Sequence, residues 1–181
     1  MLRLRVATEA HEFEQIHRLV YRTFVHEIPQ HPADGSERRV DPFHPENTYL
    51  IALLGDDLIG MLALRNRRPF SLDHKLANLD DYLPPHRSPC EIRLLSVERR
   101  HRRTRVLVRL VAQTMRMCEG RGHDLALISG ALSQVPLYEK MGFVPFGPTV
   151  GTPQAPYRPM YLTALACQDA RARTSALRRY R

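Results

Sequence analysis

The chain has 181 residues, 43% hydrophobic and 25% charged, which suits one globular domain with a core that needs no disulfides or metals, and no apolar run approaches the roughly 20 residues of a membrane helix. Its start, Met1-Leu2-Arg3-Leu4-Arg5, lacks the apolar stretch and cleavage site of a secretory signal, and the scattered cysteines Cys90, Cys118 and Cys167 exclude a disulfide framework or zinc pattern; reducing cytoplasm is the expected location. The net charge is +8, but five arginines lie in 171–181 and five more are Arg99, Arg100, Arg102, Arg103 and Arg105; without those ten the rest stands at −2, so the basicity is local.

In chain order, residues 2–7 alternate as a strand does, and Thr8 is predicted to cap the helix that follows. Over 9–24 the apolar positions Phe13, Ile16, Leu19, Val20 and Phe24 keep helical spacing. Residues 29–45, rich in Pro, His and charge, read as a loop. Segments 48–54 and 58–64 flank the turn Gly55-Asp56-Asp57 and form a hairpin. Residues 65–89 are irregular, with a short helix near 74–82, and 90–97 is an apolar strand. A helix over 104–119 turns Leu107, Leu110, Val111 and Met115 to one side and ends at Gly120 and Gly122. A strand at 125–129, a short helix reaching Lys140, and strands at 143–146 and 159–163 complete the chain. This order predicts an α/β (α+β) fold with a mixed central sheet of about six to seven strands and helices on both faces. The expected organisation is one domain over 1–165 and a basic, solvated tail over 166–181.

The string Leu137-Tyr138-Glu139-Lys140-Met141-Gly142-Phe143 resembles the LYxKxGF signature of the GCN5-related N-acetyltransferase (GNAT) superfamily. The strand 90–97, the arginine loop, the helix 104–119 and the strand 125–129 have the layout of that superfamily's acyl-donor site, and the resemblance spans nearly all of 2–163. It implies an N-acyltransferase that moves an acyl group from a pantetheine thioester to an amine, with no metal. Phosphates favour a helix N-terminus, where free amides and the helix dipole converge. The donor-binding residues it implies are therefore Arg102, Arg103, Thr104 and Arg105, with the strand backbone of Leu95, Ser96 and Val97 on the pantetheine and the thioester carbonyl. The superfamily's loop glycines fall at Arg103, Arg105 and Leu107 here, and its frequent Asn seven residues before the tyrosine is Ala131. Arginine side chains are expected to take over the phosphate contacts.

A basic, glycine-poor loop resembles the branch of acyl-homoserine-lactone synthases and N-acyl amino acid synthases. So do Glu91-Ile92-Arg93-Leu94-Leu95-Ser96-Val97, Tyr21 to Glu27, and Arg39-Val40-Asp41-Pro42-Phe43. Arg93 falls one residue earlier than that branch's arginine. The branch implies acyl carrier protein, or acyl-CoA, as donor and a small molecule such as an amino acid as acceptor. Tyr138 is the candidate acid for the departing thiolate; its other reading is a core aromatic. Glu91 is the candidate base, since a carboxylate in an apolar strand is either functional or paired, for example with Arg93. Glu27, Asp41 and Arg93 are candidate acceptor-binding residues. Residues 67–84 are long enough for a lid or the wall of an acyl tunnel, or are a plain surface excursion. His26, His31 and His44 share no helix face, and no metal is expected of them. Two alternatives remain: an acetyl-CoA-dependent N-acetyltransferase of a small amine or protein, and a non-catalytic anion or RNA-binding module. The lack of aromatics among residues 99–105 argues against nucleic acid.

Overall fold

The computed structural model describes residues 1–168, so most of the basic tail lies outside the described residues. The strands and α-helices that can be bounded among the described residues follow in chain order: β1 Leu2–Val6, α1 Ala10–Tyr21, β2 Thr48–Leu54, β3 Asp57–Arg65, β4 Pro89–Val97, α2 Val106–Gly120, β5 Leu125–Ala131, α3 Val135–Lys140, β6 Val144–Pro145, β7 Val150–Thr152 and β8 Ala155–Thr163. The strands are ordered β1-β2-β3-β4-β5-β8-β6, with β7 on β8. Neighbours are antiparallel except β4 and β5, among the pairs whose registers are resolved. One strand more than expected is present because the C-terminal part folds into short pieces: the strand expected at 143–146 is only Val144–Pro145, and β8 starts four residues earlier than expected.

The chain divides into two compact units. The first comprises residues 1–66, 92–116 and 152–155. Its centre is the hairpin β2–β3, in register Ile51↔Met61 and closed by Gly55 at φ 66°, the positive φ that a two-residue turn requires. Both strands are buried almost throughout, as expected of strands covered on both faces. Ile16, Leu19 and Val20 of α1 pack on Tyr49, Ile51, Met61 and Ala63; each large side chain so buried contributes about 1.5–3 kcal/mol. The cap of α1 is Glu9 rather than Thr8: the Glu12 carboxylate accepts the amides of Thr8 (2.9 Å) and Glu9 (3.1 Å), a capping box in which an acid replaces the expected hydroxyl. The expected helix 9–24 changes pitch at its end, continuing as a wider π turn over Arg22–Glu27. On β3, Gly60 leaves room for α2, since a Cβ there would come within 3.1 Å of both Leu110 and Val106.

The second unit comprises residues 67–91, 117–151 and those from Pro156 onward. The first residues of β4 pair in parallel with β5 (Cys90↔Ala126), and β5 pairs along its length with β8. Residues 67–89 carry little regular structure: a turn at 70–76 and one 3-10 turn, Leu79–Tyr82, stand where a short helix was expected. Phe70, Leu72, Leu76 and Leu79 are nevertheless buried, so this stretch is anchored by apolar side chains rather than by a backbone ladder. Asp124 holds its return to β4, accepting the amides of Arg87 (2.8 Å) and Ser88 (3.0 Å).

Candidate active site

In the first unit the site is organised by a break in β4. Leu94 has φ 56°, the left-handed region, which costs a non-glycine residue roughly 1–2 kcal/mol. The Ser96 hydroxyl donates to the Leu94 carbonyl at 3.0 Å, and the Leu94 side chain leans on the core, so the surroundings hold the strained residue in place. Burial does not alternate on either side of the break: Cys90, Glu91 and Ile92 are all buried, and so are Ser96 and Val97. Spacing along β4 therefore does not tell which face Arg93 shares with Val97. This is also where the backbone of Leu95–Val97 was expected to meet an acyl donor.

Arg93 grips Asp41 with both nitrogens, at 2.8 and 3.0 Å, and the two side chains are 12% and 5% exposed. Asp41 also accepts the Phe43 amide (2.9 Å) and the Asn47 side chain (3.1 Å). The Phe43 ring carries the Arg93 guanidinium at 4.6 Å and that of the buried Arg65 at 4.1 Å. The predicted loop is thus clamped over 41–47 by two arginines of neighbouring strands. Asn47 passes the network to the Tyr49 hydroxyl (3.2 Å), which bonds His44 (3.0 Å), and His44 approaches His17 at 3.5 Å. Burial pushes the Tyr49 phenol up to about 12, so it stays a hydroxyl at any physiological pH. Glu27 ion-pairs with Arg102. Of the three candidate acceptor-binding residues, Asp41 and Arg93 come together with each other, while Glu27 is held elsewhere by the arginine loop.

The loop leading into α2 differs from expectation in detail. The helix starts at Val106, two residues later than predicted, with Arg105 as the cap whose carbonyl accepts from Arg109 (2.9 Å). Thr104 stands before it, its hydroxyl donating to the His101 carbonyl at 2.7 Å. Arg102 does not reach outward: its Nε donates to the Val97 carbonyl at 2.9 Å while its fork holds Glu27, fastening the end of β4 to the π turn. Arg99, Arg100, Arg103 and Arg105 are exposed and have no acidic partner among the described residues.

In the second unit, the buried Glu91 accepts three hydrogen bonds from one turn: the Ser71 amide (2.8 Å), the Ser71 hydroxyl (2.7 Å) and the Leu72 amide (3.2 Å). To act as the expected base it would have to release part of that turn. The arrangement favours the structural reading, with a partner that sequence did not suggest: the Ser71–Leu72 backbone, twenty residues upstream. Tyr138, near the end of α3, lays its ring over the backbone of β5, where a Cβ on Gly130 would sit 2.9 Å from the ring, and it meets Phe143 edge-on. Burial raises its phenol above the ordinary value, and its hydroxyl has no hydrogen-bond partner among the described residues. Gly130→Ala is expected to cut turnover about tenfold or more by displacing the ring, with folding retained, as read by steady-state kinetics beside circular dichroism.

Sequence reasoning missed Asn47, Tyr49, Arg65 and His17 as members of the clamp. A polar residue on an apolar strand or helix face was the available signal, but it names no partner. Among the described residues no group of three or more His, Cys, Asp or Glu is placed to hold a metal ion.

The model of the N-acyl amino acid synthase FeeM family matches residues 15–166 of the chain. Among solved structures, the chain is similar to FeeM, an N-acyl amino acid synthase from uncultured soil microbes, at 16% identity over 94% of each chain with a TM-score of 0.73. It is similar to BjaI, a CoA-dependent acyl-homoserine lactone synthase, at 20% identity over 96% of this chain and 88% of that one, with a TM-score of 0.72. MesI, another CoA-dependent acyl-homoserine lactone synthase, gives 15% identity over 94% of each chain and a TM-score of 0.74. At these identities the structural likeness shows a shared fold. No curated protein matches the chain by sequence.

Proposed function

This chain belongs to the N-acyl amino acid synthase FeeM family and is an N-acyltransferase with a GNAT-type fold; from that premise we propose that it carries a long acyl chain from acyl carrier protein to the amino group of an amino acid. One observation carries the choice of donor. Arg99, Arg100, Arg103 and Arg105 stand exposed, without acidic partners among the described residues, in the loop leading into α2, where glycines would otherwise cradle a pyrophosphate. Such a surface complements the strongly acidic face of a carrier protein better than it encloses a nucleotide.

The reaction is attack of the neutral amine on the thioester carbonyl, loss of the amine proton to water, departure of the sulfur as a thiol carrying the Tyr138 proton, and return of a proton from water to Tyr138. Tyr138, kept protonated by burial, gives its proton to the leaving sulfur. Glu91 serves the reaction by holding the Ser71–Leu72 turn, and Asp41 and Arg93 by fixing the loop at 41–47.

The test is thiol release from acyl chains of two to sixteen carbons on carrier protein and on CoA, against pooled amino acids and amines. BjaI and MesI are CoA-dependent, so the two donors must be separated. Turnover confined to long chains on the carrier supports the reading. Turnover with long-chain acyl-CoA alone would move the donor to CoA, and turnover with acetyl-CoA would identify an acetyltransferase. Arg99→Glu with Arg103→Glu is expected to raise KM for acyl carrier protein about tenfold or more at low salt, with kcat little changed and the difference fading as salt rises.

A further inference from the structure

The second unit contains a feature that acyl transfer does not use. Cys90, near the start of β4, and Cys118, in the last turn of α2, place their sulfurs 3.5 Å apart, and both side chains are buried. They are 28 residues apart in sequence. We propose that Cys90 and Cys118 form a peroxide-reactive dithiol, a modification site that closes reversibly to a disulfide between β4 and α2.

Two sulfurs in van der Waals contact need a movement of about 1.5 Å to reach the ~2.05 Å of a disulfide, within the play of two side-chain torsions and a helix end. The pair is also asymmetric, as the chemistry requires. The contact with Cys90, in which either sulfur can donate, and the nearby Arg121 guanidinium hold the Cys118 thiol below its ordinary value. The same contact, together with burial, pushes Cys90 up. In this proposal Cys118, the thiol that the Arg121 guanidinium favours as thiolate, is the attacking sulfur and Cys90 the resolving one.

The steps balance with hydrogen peroxide as the named oxidant. The Cys118 thiolate attacks one peroxide oxygen; the O–O bond breaks, hydroxide leaves, and Cys118 becomes a sulfenic acid. The Cys90 sulfur then attacks the Cys118 sulfur, the S–O bond breaks, and the Cys90 proton and the departing hydroxide leave as water. Two thiols lose two electrons in all, and peroxide is reduced to two waters. The burial of both sulfurs selects a small oxidant over a bulky disulfide. The new bond would tie the strand that carries Glu91 to the end of α2. The inference does not depend on the acyl-transfer reading.

The experiment uses the full chain carrying Cys167→Ser, which removes the half-exposed third cysteine. After peroxide, intact mass should fall by about 2 Da, and two alkylatable thiols should be lost on denaturation and return with dithiothreitol. Proteolysis should recover one peptide pair joined through Cys90 and Cys118. Cys118→Ala should abolish the mass change, and Cys90→Ala should instead leave sulfenic acid on Cys118, trapped by dimedone; either variant suffices if the other does not fold. Two thiols still alkylatable after peroxide, stepwise gain of oxygen without the loss of about 2 Da, or a bridge joining two chains would each overturn the proposal.

Discussion

Tyr138→Phe is expected to lower kcat about 100- to 10,000-fold, the range of a lost general acid, while the donor's dissociation constant changes little. The substitution isolates the hydroxyl. A phenylalanine ring keeps its place over Gly130 and its edge contact with Phe143, so packing and folding survive. What disappears is a hydroxyl with no partner among the described residues, protonated well past neutrality because burial disfavours the phenolate. Single-turnover measurement of thiol release beside donor binding separates the two effects. Unchanged turnover would return Tyr138 to the core-aromatic reading, and equal losses in turnover and binding would make it a binding residue.

Asp41→Ala is expected to cost about 3–5 kcal/mol of stability, because it removes the carboxylate that both terminal nitrogens of the largely buried Arg93 hold. The clamp also loses the hydrogen bonds that Asp41 accepts from Phe43 and Asn47. Urea unfolding measures the loss. In the pair Asp41→Ala with Arg93→Met the second change removes the largely buried guanidinium that Asp41 had neutralised, so the double variant should be more stable than Asp41→Ala alone. A loss below about 1 kcal/mol for Asp41→Ala would show that water reaches the pair and that it behaves as a surface ion pair.

Most of the element order was legible in sequence because burial periodicity is a local signal. The spacing of Ile16, Leu19 and Val20 marks a helix face wherever that helix packs, and the hairpin announced itself by a turn between two apolar runs. The misjudged boundaries lie where local cues compete. Thr8 looked like a better cap than Glu9, but Glu12 reaches back to both amides and decides the matter. Thr104 looked like the start of α2, and its hydroxyl, while donating to His101, accepts the Val106 amide at 3.4 Å, but the helix itself opens only at Val106.

For the candidate site the division follows the range of the forces. Residue types, the LYEKMGF string and the glycine-poor arginine loop are properties of neighbours in the chain, and they suffice for family, fold and reaction class. Which charge meets which is a matter of long-range geometry. Glu91 and Arg93 sit two residues apart and invite pairing, but the folded chain sends Glu91 to the Ser71–Leu72 turn and Arg93 to Asp41. Arg102 and Glu27, both proposed for ligands, hold each other. Sequence alone determined what chemistry this chain can carry. Only the tertiary structure decided which polar groups are consumed in holding it together and which, like the Tyr138 hydroxyl and the outer arginines, have no hydrogen-bond or acidic partner among the described residues, because burying a charge or hydrogen-bonding group compels it to find whatever partner the fold brings within about 3 Å.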